Sequence, residues 1–177
     1  MIQSKRDIEE FYLENDPWSY ETNVEDKKRV DILLSELAFK KHDKILDIGC
    51  GNGFVTSKLI GKSILGVDIS EKAVYHAIKN NVNDNINFLQ ASIFELNEKI
   101  LNEKFDLILI TGVLYSQYIG DSSSLVYIII DKLLKDGGNL VCVHIDEWYN
   151  CQFPYVKLKQ VYYPYRNYTH YLEIYSK

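Results

Sequence analysis

Seven residues, Asp47-Ile-Gly49-Cys-Gly51-Asn-Gly53, leave this chain few folds to choose from. They follow the short apolar run Lys44–Ile48 and precede Phe54–Ile60, whose spacing reads as a helix. Glycine lets the backbone turn with positive φ and lets a ligand approach with no Cβ in the way. Amides at the start of a following helix receive a carboxylate or a phosphate. Asp68 closes the next apolar run, Ser63–Val67, 21 residues after Asp47. An acid at that place suits a ribose diol, whose two hydroxyls it accepts. The pattern predicts a nucleoside crevice at the mouth of a parallel sheet.

The rest of the chain agrees with such a sheet. Ile86–Leu89, Phe105–Ile110 and Leu140–Ile145 read as further strands, and FDLILI is apolar on both faces as a central parallel strand is. Helices fall between them: Ser70 caps one, and Ser122–Lys135 forms another that Gly137-Gly138 is expected to close. Alternating strands and helices imply right-handed crossovers and a doubly wound α/β sheet. Tyr155–Tyr163 and Thr169–Tyr175 are β-rich and read as an antiparallel pair added after the parallel part. Two amphipathic helices, over 5–14 and about 24–39, precede the first strand and are expected to form a lid. The chain is thus expected to be one domain, 1–177, with a helical lid over 1–40 and a Rossmann-like core over 41–177.

Composition narrows the function classes. With 20 basic and 25 acidic residues the net charge is −5, which argues against a phosphate backbone as partner. The longest apolar stretch, Leu125–Ile130, is too short for a membrane span. MIQSKRDIEEF has no apolar core of a signal peptide. Cys50, Cys142 and Cys151 are odd in number and scattered, and read as reduced thiols of a cytoplasmic protein. No Cys, His or acid cluster has metal spacing, so no metal is expected; His42, His76 and His170 read as structural or solvated.

A dinucleotide fingerprint, G-x-G-x-x-G, needs a small third residue, and Phe54 stands there instead. The spacing fits a nucleoside bearing an amino-acid tail. KILDIGCGNG (Lys44–Gly53) and ILGVDIS (Ile64–Ser70) resemble the first two motifs of the class I S-adenosylmethionine-dependent methyltransferases. INFLQASIF (Ile86–Phe94), FDLILITGVLY (Phe105–Tyr115) and LLKDGGNLV (Leu133–Val141) sit where the next three belong. The resemblance implies a mostly parallel seven-stranded sheet with an antiparallel last strand, S-adenosyl-L-methionine as cofactor, and a small-molecule acceptor. It places Asp47, Gly49, Cys50, Gly51 and Gly53, then Asp68 and Ile69, Ser92 and Ile93, and Thr111 around that cofactor. A narrower similarity is to the nodulation protein S family of N-methyltransferases, carried by Glu14–Thr22, Val113–Tyr115, Val143-His144 and Tyr165-Arg166. It implies an amino sugar as acceptor. That family usually carries Ser-Glu where this chain has Thr111-Gly112, and many class I enzymes carry Asp where Ser92 stands.

Methyl transfer from a sulfonium needs an aligned nucleophile and a dry cavity. Trp18 and Tyr20 are the expected cofactor-facing lid residues, since aromatic faces favour a cation; Trp18 equally serves to staple the lid. His144, at the C-terminal end of the fifth strand, is the expected general base. Tyr115, after the fourth strand, is the second catalytic candidate. Asp146 and Glu147 offer charge for a cationic substrate. The tyrosines of the tail suit either a sugar-stacking wall or hairpin packing. The expected function is S-adenosylmethionine-dependent methylation of an amine or hydroxyl of a small molecule. The alternative is a non-catalytic protein that binds S-adenosylmethionine or S-adenosylhomocysteine. The expected state is monomer or homodimer.

Overall fold

The computed structural model describes residues 3–149 and 151–177. Seven strands form one sheet: β1 (Lys44–Ile48), β2 (Ser63–Asp68), β3 (Ile86–Gln90), β4 (Phe105–Thr111), β5 (Leu134–Ile145), β6 (Val156–Tyr165) and β7 (Tyr168–Ser176). Their order is β3-β2-β1-β4-β5-β7-β6. The first five pair in parallel, and β7 runs antiparallel to both of its neighbours. Winding reverses between β1 and β4, which opens a crevice beyond the carboxyl ends of those strands.

Side-chain alternation builds two cores from one strand. Ile108 and Ile110 of β4 face Val126, Ile129, Ile130 and Leu133 of helix α6 (Ser123–Leu133). Leu107 and Leu109 face Val30, Leu33 and Leu37 of helix α2 (Val24–Leu37). Each such side chain contributes about 1.5–3 kcal/mol by leaving water. Helix α1 (Lys5–Phe11) buries none of its residues. Thus α2 is part of the core layer, and α1 with the loop after it is what overlies the crevice. The remaining helices are α3 (Glu71–Asn80), α4 (Leu96–Lys99) and α5 (Ser116–Ile119). Among the described residues no helix is long and apolar enough to cross a membrane.

Two sequence expectations change. Phe54–Ile60 is not a helix; a single 3-10 turn, Thr56–Lys58, stands there. The Thr56 hydroxyl donates to Asp47 Oδ2 at 2.7 Å, and Leu59 is already extended. Phe54 and Val55 are drawn into the α2 core, so the turn cannot wind on. Gly137-Gly138 likewise does not cap α6, because β5 begins directly at Leu134. The Gly137 amide donates to Lys177 O and the Lys177 amide to Gly138 O, which pairs this glycine segment with the chain's last residue.

Burial sets an acid limit on stability. It pushes His144 and His170 down to about 3, against an ordinary 6.5. The unfolded chain then binds protons that the fold refuses, so the contribution of these two histidines is complete above about pH 6.5 and is lost as pH drops toward 3, with buried Asp47, raised to about 6, offsetting part of it. Urea midpoints should be lower at pH 5 than at pH 7.5, and His144→Gln should shrink that difference. A difference unchanged by the substitution would show that His144 titrates as a free imidazole.

Candidate active site

The glycine turn is tied to the end of β2 by its own backbone. The amides of Gly49 and Cys50 both donate to Val67 O, at 2.8 and 3.0 Å. The Gly51 amide donates to Asp68 Oδ2 and the Ser70 amide to Asp68 Oδ1, each at 2.9 Å. Asp68 therefore brackets the turn against the start of α3. Burial raises its pKa, and the two amide donors oppose that rise. Gly51 has φ +55°, and a Cβ there would stand 2.9 Å from Tyr12 Oη. Asp47 lies behind the turn, fully buried, with Thr56 on Oδ2 and no partner on Oδ1 among the described residues. Burial pushes it up to about 6.

Two adjoining cavities of about 380 Å³ each open above this turn. Each falls within the range of small-molecule sites. Asp68, Ile69, Ser92 and Ile93 line the first, under Ile8 and Phe11 of the lid. Cys50, Gly51, Tyr115, Arg29 and His170 line the second. Gly49, Thr111 and Gly112 belong to both walls, as do Tyr12, Trp18 and Tyr20. Thr111 Oγ1 is buried at this junction with no partner among the described residues. A buried hydroxyl without a partner costs about 1–3 kcal/mol, a cost that a bound polar group would remove. The glycine cradle, the acid and the orphaned hydroxyl together fit an adenosine with an amino-acid tail.

Most of the expected cofactor residues reach a cavity wall, and Asp47 and Gly53 do not. A Cβ on Gly53 would face Asn81 and Phe88, so that glycine serves packing of the turn. Ser92 starts a 3-10 turn, Ile93–Glu95, in which its amide donates to Glu95 Oε2 and its hydroxyl accepts from Phe94 N. Burial raises the Cys50 thiol well above its ordinary range. Among the described residues no cluster of three His, Cys or acid groups could hold a metal.

The catalytic candidates divide. His144 does not line either cavity: it is 2% exposed and stacks face-on against Tyr149. The reason is strand alternation. Val143 and Ile145 project into the second cavity, so His144 between them points through to the opposite face. Strand pairing instead brings His170, opposite Ile145, to the cavity wall, where its Nδ1 lies 3.3 Å from Tyr163 Oη. Tyr115 lines the second cavity, with its hydroxyl accepting from Ile145 N at 2.7 Å. Burial pushes Tyr115 up to about 12. Asp146 and Glu147 line neither cavity; Glu147 accepts from Thr169 N instead.

The lid is latched by one carboxylate. Glu9 accepts from Ser70 Oγ at 2.8 Å, Glu71 N at 2.7 Å and Lys72 N at 3.3 Å, so α1 caps the positive end of α3. Burial would raise Glu9, yet these donors outweigh it and hold its pKa low. His76 Nε2 lies 3.2 Å from Tyr12 O. Trp18 stacks on Phe11 at 5.4 Å and Tyr20 on Phe54 at 5.5 Å, which fixes the loop after α1. Sequence reasoning missed Tyr12 and Arg29. Tyr12 was visible only as part of an amphipathic pattern, and Arg29 only as one charge on a mixed helix face.

The family described as a methyltransferase domain matches residues 39–171. The chain belongs to that family. The motif resemblance drawn from the sequence is thereby borne out. A protein of Saccharolobus solfataricus named probable cobalt-precorrin-6B C(15)-methyltransferase (decarboxylating) is 40% identical over 119 residues, 62% of this chain and 56% of that protein. The chain spans about half or less of the length of the curated relatives it matches. The N-methyltransferase NodS of Bradyrhizobium japonicum WM9, solved with S-adenosyl-L-homocysteine, superposes with a TM-score of 0.80 over 97% of this chain and 96% of its own, at 22% identity. The magnesium protoporphyrin IX methyltransferase of Synechocystis PCC 6803, solved with bound S-adenosylmethionine, gives 0.73 over 100% and 99%, at 16% identity. These likenesses show a shared fold, mostly parallel with its antiparallel strand near the end.

The latch is open to direct measurement. Glu9→Gln removes the charge while keeping the shape. Hydrogen exchange of the amides over residues 4–12 should speed up by at least ten-fold, with exchange in β1 and β4 unchanged. Equal exchange in both forms would show that the charge of Glu9 does not hold α1.

Proposed function

We propose that this chain methylates an amine or hydroxyl of a small molecule, an amino sugar among the candidates, with S-adenosyl-L-methionine as donor. One observation carries the reading: Gly49, Thr111 and Gly112 wall both cavities at once. A tail laid along the turn from the first cavity would present its sulfur to the second. S-adenosylmethionine, when bound, supplies a methyl group on a positively charged sulfur. Asp68 would accept the ribose hydroxyls, Ile69, Ser92 and Ile93 would enclose the base, and the amides of the glycine turn would meet the amino-acid end. Trp18 and Tyr20 would exclude water and face the sulfonium, an arrangement worth about 0.5–2 kcal/mol.

The walls supply little base. Tyr115 stays protonated below about 12, and His170 stays neutral above about 3. In the displacement the nucleophile forms a bond to the methyl carbon as the sulfur–carbon bond breaks. An amine then gives up its proton to water or to a hydrogen-bond acceptor at the wall. Such walls suit a nucleophile that is already neutral amine or anionic oxygen, with alignment rather than proton abstraction lowering the barrier. We also place the chain in the cytoplasm, as monomer or homodimer and without nucleic acid; its three free cysteines and net charge of −5 support that.

A second reading, a non-catalytic binder of the cofactor or its product, is favoured by Gly112, which offers no side chain beside Thr111. Mass analysis of amines and sugars incubated with protein and S-adenosylmethionine separates the two: a gain of one methyl supports transfer, and tight binding with no gain across the panel supports the binder. In calorimetry Asp68→Ala should weaken S-adenosylhomocysteine by roughly 1–3 kcal/mol, from hydroxyls left without an acceptor. Gly51→Val should abolish binding and also lower the melting temperature, because a β-branched residue is strained at φ +55°. Unchanged affinity in Asp68→Ala would remove the ribose role.

A further inference from the structure

The second cavity has an aromatic corner. Trp148, in the 3-10 turn Asp146–Trp148 after β5, meets Tyr168 at 4.9 Å and 63°, and Tyr115 at 5.7 Å and 79°. Tyr115 lies 6.0 Å from Tyr118. All four rings line the cavity, and they come from the segments after β4 and β5 and from the start of β7, not from the glycine turn. Trp148 is 45% exposed and Tyr168 39%, although the two pack on each other. Apolar surface left open beside a cavity is surface that a ligand gains by covering. Most polar groups of this wall are already engaged. Arg29 shares the cavity with the glycine turn and is left to the donor's amino-acid end. Arg166 donates to Asp26 Oδ2 and to Trp18 O, each at 2.8 Å, and Tyr165 Oη donates to Asp26 Oδ1 at 2.7 Å. Gln117 brings the wall's one side-chain amide, and among the described residues no aspartate or glutamate lines it.

These walls discriminate among acceptors. A sugar brings several hydroxyls, each costly to bury without a partner, and finds one side-chain amide. An alkyl amine arrives protonated, and it meets neither a base nor a counter-charge, close to two guanidiniums and the donor's sulfonium. Its attraction to ring faces, about 0.5–2 kcal/mol, has to oppose that repulsion. An aromatic amine is neutral at neutral pH because its lone pair is shared with its ring, so it needs no base before attack. Its ring also fits rings set at steep angles: it lies against one face and turns its edge to the next. We infer that the acceptor is an aromatic amine, its ring seated against Trp148 and Tyr168 and its nitrogen turned toward Thr111. The inference rests on the proposed methyl transfer, because it names the acceptor class of that same site. The nitrogen lone pair forms the bond to the methyl carbon, the sulfur–carbon pair returns to sulfur, and one N–H proton leaves to water. Seating of the ring supplies the alignment.

The test is calorimetry at neutral pH on the whole chain loaded with S-adenosylhomocysteine. The probes are two matched pairs and a sugar: aniline with cyclohexylamine, 5-aminoindane with 2-aminoindane, and glucosamine. In each pair the first carries its nitrogen on the aromatic ring and the second carries an alkyl amine on a frame of the same size. At least one aromatic amine should bind ten-fold or more tighter than its matched alkyl amine and than glucosamine. Trp148→Ala should lose most of that preference, and Trp148→Phe should retain part of it. Alkyl amines that match the aromatic ones show a cation cage, and glucosamine that matches them shows a sugar wall; either overturns the inference. So does the binding of no probe to a chain that takes S-adenosylhomocysteine, and so does a preference untouched by Trp148→Ala. A purely structural Trp148 would weaken S-adenosylhomocysteine and every probe alike on Trp148→Ala, which also overturns it. With S-adenosylmethionine as donor, a methyl gained by glucosamine or an alkyl amine and by neither aromatic amine leaves methyl transfer standing and overturns the acceptor class. Failure of S-adenosylhomocysteine to bind overturns the methyl-transfer reading instead, and the same titration without it still judges the aromatic corner.

Discussion

The Asp68 carboxylate ties the turn after β1 to the start of α3, beside the segment on which the lid is latched. Through Oδ2 it holds Gly51 of the turn after β1, and through Oδ1 it holds the start of α3. Ser70, two residues on, carries the Glu9 latch of the lid. Two buried backbone amides would otherwise lie unsatisfied at the mouth of the sheet, so the turn is held in shape by the protein's own groups. The crevice is in this sense preformed. Its floor is set by hydrogen bonds to the Asp68 carboxylate and to Val67 O, and its roof by a short helix that buries none of its own residues.

That division of labour explains where rigidity and motion lie. The floor is continuous with β4, whose side chains are buried on both faces. The roof is held by polar contacts and ring stacking at its edges, which open at lower cost than a core does. Tyr12 of the roof reaches in to the space a Cβ on Gly51 would take.

Much of this was legible in the sequence because the fold writes its crevice in local chemistry. Asp47 to Gly53 and Asp68 are close in sequence, and each residue type there answers to a backbone demand. The strands were legible as apolar runs, and the tail as an antiparallel pair. The failures have equally specific causes. Phe54–Ile60 has helical spacing, yet Thr56 bonds Asp47 and the backbone turns extended at Leu59. His144 ends the correct strand, but alternation sends it to the wrong face, and one-residue parity at a strand end is not readable without its partner strand. Arg29, Asp26 and Arg166 come together across 140 residues, and no local pattern announces a pairing that only the folded sheet creates.

The chemistry follows from the same burial. Desolvation holds Tyr115 protonated and His170 neutral, so the second cavity offers hydrogen bonds and guanidinium charge rather than a base. On the methyl-transfer reading proposed above, such walls would act by excluding water and aligning the reactants. The most direct measurement is a crystal structure of the chain with S-adenosylhomocysteine. The account predicts ribose hydroxyls within hydrogen-bond reach of Asp68, and a sulfur beside Thr111 facing the second cavity. A ligand bound elsewhere, or Tyr12 and α1 still filling the crevice with the ligand absent at saturating concentration, would contradict it.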